Sequence, residues 1–237
     1  MKKLAQVYEG KAKRVFATDD PEIYIVDYKD DATAFNGQKK GTILGKGAIN
    51  NRMTNNLMRL LEKHGIPTHY INEISDRETA VKKVKIVPLE VIIRNIAAGS
   101  FSQRYGVPEG QKLLISTLEF SYKNDELGDP LINDYHAIAL GLATEEDIAL
   151  IKKYAFMIND ILKEHLLSCG ITLVDFKLEF GKTSDNTLVL ADEISPDTCR
   201  FWDLKTGEKL DKDRFRRDLG NVEGAYREMA KRLLGDN

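Results

Sequence analysis

Apolar positions along the chain follow two rhythms. A period of two, between residues 4–28, 68–97, 112–122 and 174–193, predicts strands, and a period near 3.6 elsewhere predicts helices. LAQVYEGKAKRVFAT and IYIVDY read as strands either side of the Asp20-Pro21 turn. Residues 29–47 lack periodicity and are rich in Gly, Lys, Asp and Asn, which predicts a loop. Ile49, Met53, Leu57, Leu60 and Leu61 then follow helical spacing up to Gly65. THYINEIS, TAVKKVKIVP and LEVIIRNIA return to β, and Pro88, with no N–H for a ladder, marks a boundary. A short helix, SFSQRYG, the strand KLLISTLEFSY and the polar loop KNDELGDPLIND follow. Thr144 caps a helix with an Ile148, Ile151, Ala155, Ile158, Ile161 and Leu162 stripe, closed by Gly170. One last helix is expected from about Asp213 to Leu234, with Phe215, Leu219, Val222, Tyr226, Met229 and Leu233 inward. The pattern predicts an α+β fold of two lobes, residues 1–87 and 88–237.

Within this pattern the stretch from Thr172 to Asp203 carries acids where strands usually avoid them. Alternation puts Val174, Phe176, Leu178 and Phe180 on one face and Asp175, Lys177 and Glu179 on the other. The turn GKTSDN leads into a second strand, Thr187 to Glu193, so that Glu179 and Asp192 come close. Paired carboxylates of this kind suit Mg²⁺ held together with substrate phosphates. The same alternation also fits a plain amphipathic hairpin with a solvated face. Near the start, Gly10 and Ala12 between Lys11 and Lys13 suit a flap over a polyphosphate, or an ordinary surface hairpin. It is neither a Walker A loop nor a GxGxxG motif. Lys39, Lys40 and Lys46 are a phosphate-facing cluster or a solvated loop. Glu90 and Arg94 interrupt a very apolar strand, as a structural ion pair or as ligand contacts. Ser100 opens the short helix after it, where an anion can be received.

Composition narrows the partners. With 35 basic and 37 acidic residues and a formal charge of −2, neither a polyanion-binding surface nor a nucleic-acid partner is expected. MKKLAQVYEGKAKR has no apolar stretch after its lysines and no later run is long enough for a bilayer, so no membrane partner and a cytoplasmic location are expected. Cys169 and Cys199 form no CxxC and read as free thiols. Without a histidine nearby in sequence, Cys199 reads as a bystander rather than a nucleophile.

Four segments taken in order, YEGKAKRVF, VPLEVIIRNIAAGSF, LVDFKLEFG and LADEISPDTCRFWD, resemble the phosphoribosylaminoimidazole-succinocarboxamide synthase (SAICAR synthetase) family of the compact bacterial type. The resemblance covers nearly the whole chain. It implies a kinase-like N-terminal lobe and an ATP-grasp-like C-terminal lobe, with the ATP site in the cleft. It also implies a homodimer. The implied reaction joins L-aspartate to the carboxylate of carboxyaminoimidazole ribonucleotide, with ATP going to ADP and phosphate. By this resemblance Gly10, Lys11, Ala12 and Lys13 cover the ATP phosphates, Lys85, Ile86 and Val87 meet the adenine, and Lys123 joins the nucleotide contacts. Glu179 and Asp192 hold Mg²⁺, with Glu90 facing a further metal or the substrate. Arg94, Ser100 and Arg200 take the ribonucleotide phosphate, Asp175 faces the substrate, and Lys177 lies beside the transferring group.

A carboxylate is a poor electrophile, so an acyl phosphate is the expected course, and alignment and charge neutralisation replace a protein nucleophile. Asp175 or a nearby carboxylate takes the amine proton. A small-molecule or protein kinase is the first rival, but there is no HRD triplet and Asp175-Phe176-Lys177 is not DFG. A non-catalytic nucleotide-binding regulator would have no use for Arg94 and Arg200. Some family members carry Asp where this chain has Asn36, which offers only a neutral carbonyl oxygen.

Overall fold

The computed structural model describes residues 1–34 and 37–235, so the expectation for Asn36 lies outside the described residues. Antiparallel strands β1 (Lys3–Glu9), β2 (Lys13–Thr18) and β3 (Ile23–Tyr28) begin an α+β fold. The expected loop after them holds a ribbon instead, β4 (Asp31–Ala34) with β5 (Lys39–Thr42). Its strands are too short and too polar to show a period, and only Ala32 and Ala34 are buried in them. Lys39 pins the ribbon from outside, donating to Phe215 O at 2.7 Å and to Asp218 at 2.6 Å. Helix α1 (Lys46–Lys63) follows and ends before Gly65, whose φ of 81° suits a residue without Cβ. β6 (Tyr70–Glu73) and β7 (Glu78–Lys82) complete a sheet ordered β1-β2-β3-β7-β6.

The chain then builds a second sheet. Its elements are β8 (Lys85–Ile86), β9 (Leu89–Ile96), α2 (Gly99–Tyr105), β10 (Lys112–Tyr122), β11 (Leu131–Ile132), α3 (Asp134–Ala139), α4 (Glu145–Ser168), β12 (Ile171–Lys182), β13 (Leu188–Ala191) and β14 (Cys199–Asp203). Strand β12 is the hub. Around residues 175–176 it is flanked by β9 and β14, and at 181–182 by β13 and β8. Asn133 caps α3 in a reciprocal box with His136, and Thr144 caps α4 in the same way with Asp147.

Two expectations need correction. The single last helix is broken into α5 (Asp213–Arg216) and α6 (Val222–Leu234). Asp218, Gly220 and Asn221 take φ of 54°, 70° and 47°, which no right-handed helix can continue through. Leu219, expected inward, is 47% exposed there. The alternation in β12 also slips once. Leu173 pairs with Phe201 and Asp175 with Arg200, so Val174 is an extra residue, a β-bulge. Ile171 and Leu173 therefore share the core with Phe176, Leu178 and Phe180, while Val174 packs with Ile96, Ala98 and Trp202.

The main core lies behind β9 and β12. It joins Leu89, Val91 and Ile93 to Phe176, Leu178 and Phe180, and covers them with α4 through Ile151, Ala155 and Ile158. Met53, Leu57 and Leu61 of α1 and Met229 and Leu233 of α6 belong to the same cluster. Burying this rear face leaves the charged residues of β9 and β12 on the other side, which is what builds the site.

Candidate active site

The front of β9 and β12 carries two groups of charges. In the first, Lys177 Nζ lies 2.8 Å from Glu90 and 2.9 Å from Glu179, and Lys123 Nζ reaches Glu179 at 2.8 Å. Asp192 follows β13 directly, with φ 59°, and turns its carboxylate to Lys13. Lys13 also meets Glu193 at 3.1 Å. Burial alone would lower the pKa of Lys13 and of Lys177, but the carboxylates around them hold both well above the usual range. Burial would raise Asp192, and Lys13 and Lys177 hold it well below the ordinary carboxylate value. The Gly10–Lys13 segment is the turn between β1 and β2, closed by Gly10 N donating to Lys13 O at 2.8 Å. Lys11 on that turn bridges to Asp125 at 2.8 Å. The first sheet thus reaches the second through opposite charges.

The second group is centred on Asp175, which is buried. Arg94 donates to it at 3.0 Å, to Ser100 at 3.1 Å and to Glu119 at 2.9 Å. Arg200 donates to both Asp175 oxygens, at 3.1 and 3.0 Å, and through Nε to Asp213 at 2.9 Å. Burial pushes Asp175 up, outweighing the two arginines, and leaves Asp213 at about 2 because Arg200 and Arg216 outweigh its burial. Arg94 is 3% exposed, whereas Arg200 is 17% exposed in its side chain, so Arg200 is the more accessible guanidinium. Gly99 makes room for it: with φ 53°, a Cβ there would sit 2.3 Å from Arg200 Nη2. Lys85 and Ile86 are exposed and pair with β12, and Val87 N donates to Phe180 O at 2.9 Å.

Of the expected residues, Lys13, Glu90, Lys123, Lys177, Glu179 and Asp192 come together in a lysine–carboxylate group, and Arg94, Ser100, Asp175 and Arg200 in an arginine–carboxylate group, whereas Gly10, Lys11 and Ala12 on the β1–β2 turn and Lys85, Ile86 and Val87 at β8 belong to neither. Glu193, Glu119 and Asp213 belong to the two groups and were not singled out in the sequence. Glu193 stands beside Asp192 and was within reach of a motif reading, but nothing local joins Asp213 to Arg200. Cys199 is buried in β14, where burial raises its thiol pKa, and both cysteines are free.

The model of the SAICAR synthetase family matches residues 6–233. The chain belongs to the SAICAR synthetase family. A phosphoribosylaminoimidazole-succinocarboxamide synthase of Lachnoclostridium phytofermentans is 66% identical, over 98% of this chain and 99% of that one. The crystal structure of such a synthase from Ehrlichia chaffeensis superposes with a TM-score of 0.96 at 47% identity, covering 98% of this chain and 100% of that one. A SAICAR synthetase solved in complex with ADP gives a TM-score of 0.94 at 50% identity, covering 97% of this chain and 98% of that one. Family membership makes the chain an ATP-using ligase of purine biosynthesis. No described helix is long and apolar enough to cross a membrane.

The donor set also bears on a metal. Among the described residues no three or more His, Cys, Asp or Glu side chains are arranged so that they alone could hold a metal ion. Glu90, Glu179 and Asp192 are hard oxygen donors, each facing an ammonium group. That arrangement fits Mg²⁺, which is held by one or two carboxylates and completed by phosphates and water rather than by a full protein cage.

Proposed function

We propose that the chain joins L-aspartate to the carboxylate of carboxyaminoimidazole ribonucleotide, giving SAICAR, ADP and phosphate. The observation that carries this reading is the family match over residues 6–233 coinciding with two charge groups on one sheet face. The first sheet is the kinase-like lobe and the second the ATP-grasp-like lobe, divided near Val87 and Pro88, with ATP between them. Gly10, Lys11, Ala12 and Lys13 cover its phosphates, Lys123 joins them, and Lys85, Ile86 and Val87 take the adenine. Glu179 and Asp192, with Glu90 nearby, are the residues that hold Mg²⁺. When bound, Mg²⁺ supplies neutralisation of phosphate charge. Ser100, Arg94 and Arg200 bind the ribonucleotide phosphate. Arg200 reaches it directly, and Arg94 acts mainly by holding Ser100 and Asp175.

In the reaction a carboxylate oxygen of the ribonucleotide takes the γ-phosphoryl group, the bond to the β-phosphate bridging oxygen breaks, and ADP leaves. Lys177 sits beside the group in transfer and neutralises its charge. The aspartate amine then attacks the acyl carbon, phosphate leaves with the bonding electrons, and the amine proton passes to a carboxylate. Asp175 becomes available for that proton when the arginines that occupy it turn to the substrate. A homodimer in the cytoplasm completes the reading, and a light-scattering mass tests the dimer.

The deciding experiment measures ADP release with each substrate omitted in turn. Release that requires both the ribonucleotide and L-aspartate is expected. Release indifferent to aspartate, or turnover with an alcohol acceptor, overturns the ligase reading in favour of a kinase.

A further inference from the structure

Behind the arginine–carboxylate group, two ladders of the second sheet break at the same place. On one side of β9, the β12 bulge at Val174 separates the Leu173–Phe201 pair from the Asp175–Arg200 pair, and β12 meets β9 only from Asp175 onward. On the other side, β10 pairs with β9 at Lys112–Ile96 and again only at Thr117–Arg94, so several β10 residues bulge out between them. Leu114 and Ile115 are exposed in that bulge. Asn95 stands between both breaks, next to Arg94, on the α4 side of the sheet.

Its side chain replaces the missing ladder bonds. Nδ2 donates to the Leu173 carbonyl at 3.3 Å and to Asn159 Oδ1 on α4 at 2.9 Å, and Oδ1 accepts from Ser116 Oγ at 2.6 Å. Asn159 Nδ2 closes the ring onto Ser116 Oγ at 3.3 Å. Asn159 is 1% exposed in an otherwise apolar core, where an unmade bond is costly. The ring members thus satisfy one another, and Asn95 ties the β12 break, through the Leu173 carbonyl, to the β10 break, through Ser116.

We infer that Asn95, Ser116 and Asn159 are positioning residues for ribonucleotide binding, a role that rests on the site proposed above. They touch no substrate. The ring sets how far β12 and β10 slip relative to β9, and those slips decide where Asp175, Glu119 and Arg94 stand. A β-bulge re-aims side chains in this way only if its register is held. Without the ring the arginine–carboxylate group loosens, whereas the lysine–carboxylate group farther along β12 keeps its regular pairing with β13.

Initial-rate kinetics on Asn159→Leu and Ser116→Ala, with thermal unfolding, test the inference. The KM for the ribonucleotide should rise about tenfold while the KM for ATP stays within about twofold. Ser116→Thr, which keeps the hydroxyl, should restore wild-type values. Both KM values rising together, or neither moving in a folded variant, overturns the role. If Asn159→Leu does not fold, Ser116→Ala decides alone by the same criteria. Arg94→Lys serves as the reference: if it leaves the ribonucleotide KM unchanged, the proposed site is wrong, and if it raises that KM while the ring variants do not, only the ring inference falls.

Discussion

At the residue scale, small changes around Arg200 separate substrate binding from folding. Gly99 takes φ 53° and lies against the guanidinium, so Gly99→Ala adds backbone strain and pushes Arg200 aside. The expected outcome is a ribonucleotide KM raised about tenfold with little change in the KM for ATP, read by initial-rate kinetics. Asp213 holds Arg200 from the other side and is depressed to about 2, below its ordinary value near 4. A depressed carboxylate stabilises the fold above the unfolded pKa, and that stabilisation disappears as pH falls through the folded one. Between about pH 4 and pH 2 the wild type should therefore lose about 2 kcal/mol more than Asp213→Asn, measured by urea unfolding. A matching pH dependence in the variant would show that the Arg200 and Arg216 pairs add nothing.

At the scale of elements, punctuation was legible and interruptions were not. Thr144, the acids after it and Gly170 mark α4 from local chemistry alone, since capping needs only neighbours in sequence. Thr144→Ala should cost about 1 kcal/mol in denaturant unfolding and leave both KM values unchanged. The break between α5 and α6 was hidden because apolar spacing from Phe215 to Leu233 reads as continuous. Its cause is partly tertiary: Arg214 donates to the Gly220 carbonyl at 2.8 Å, and Lys39 of the ribbon holds Phe215 and Asp218. The bulge at Val174 was hidden for a similar reason. Val174 is as apolar as Phe176, and only the paired strand β14 reveals that it faces another cluster.

For the whole molecule, the two sheets meet through charges that are already matched without ligand. Lys13, on the first sheet, satisfies Asp192 and Glu193 on the second, and its side chain is only 16% exposed. Removing one partner of such a buried group strands the other, so Lys13→Met should cost about 3 kcal/mol in metal-free buffer. Because the two carboxylates then lose the ammonium group paired directly with them, added Mg²⁺ should raise the melting temperature of Lys13→Met more than that of the wild type. An equal response in thermal-shift measurements would remove Asp192 from the metal site. The Lys11–Asp125 bridge is solvent-exposed, and Asp125→Asn should change stability by less than about 1 kcal/mol.

The sequence by itself determined the α+β class, the apolar rear of β9 and β12, the capped α4 and the four segments that resemble the family. Each of these rests on periods or contiguous residues that need no distant partner. Tertiary structure alone decided that Lys13 meets Asp192, that Asp213 holds Arg200, and that Asn95 bridges two ladder breaks. Lys13 and Asp192 lie far apart in the chain, as do Asn95 and Leu173, and even Arg200 and Asp213 are joined by no local repeat. Their geometry depends on strand register, and a slip of one residue reverses which side chains face the site.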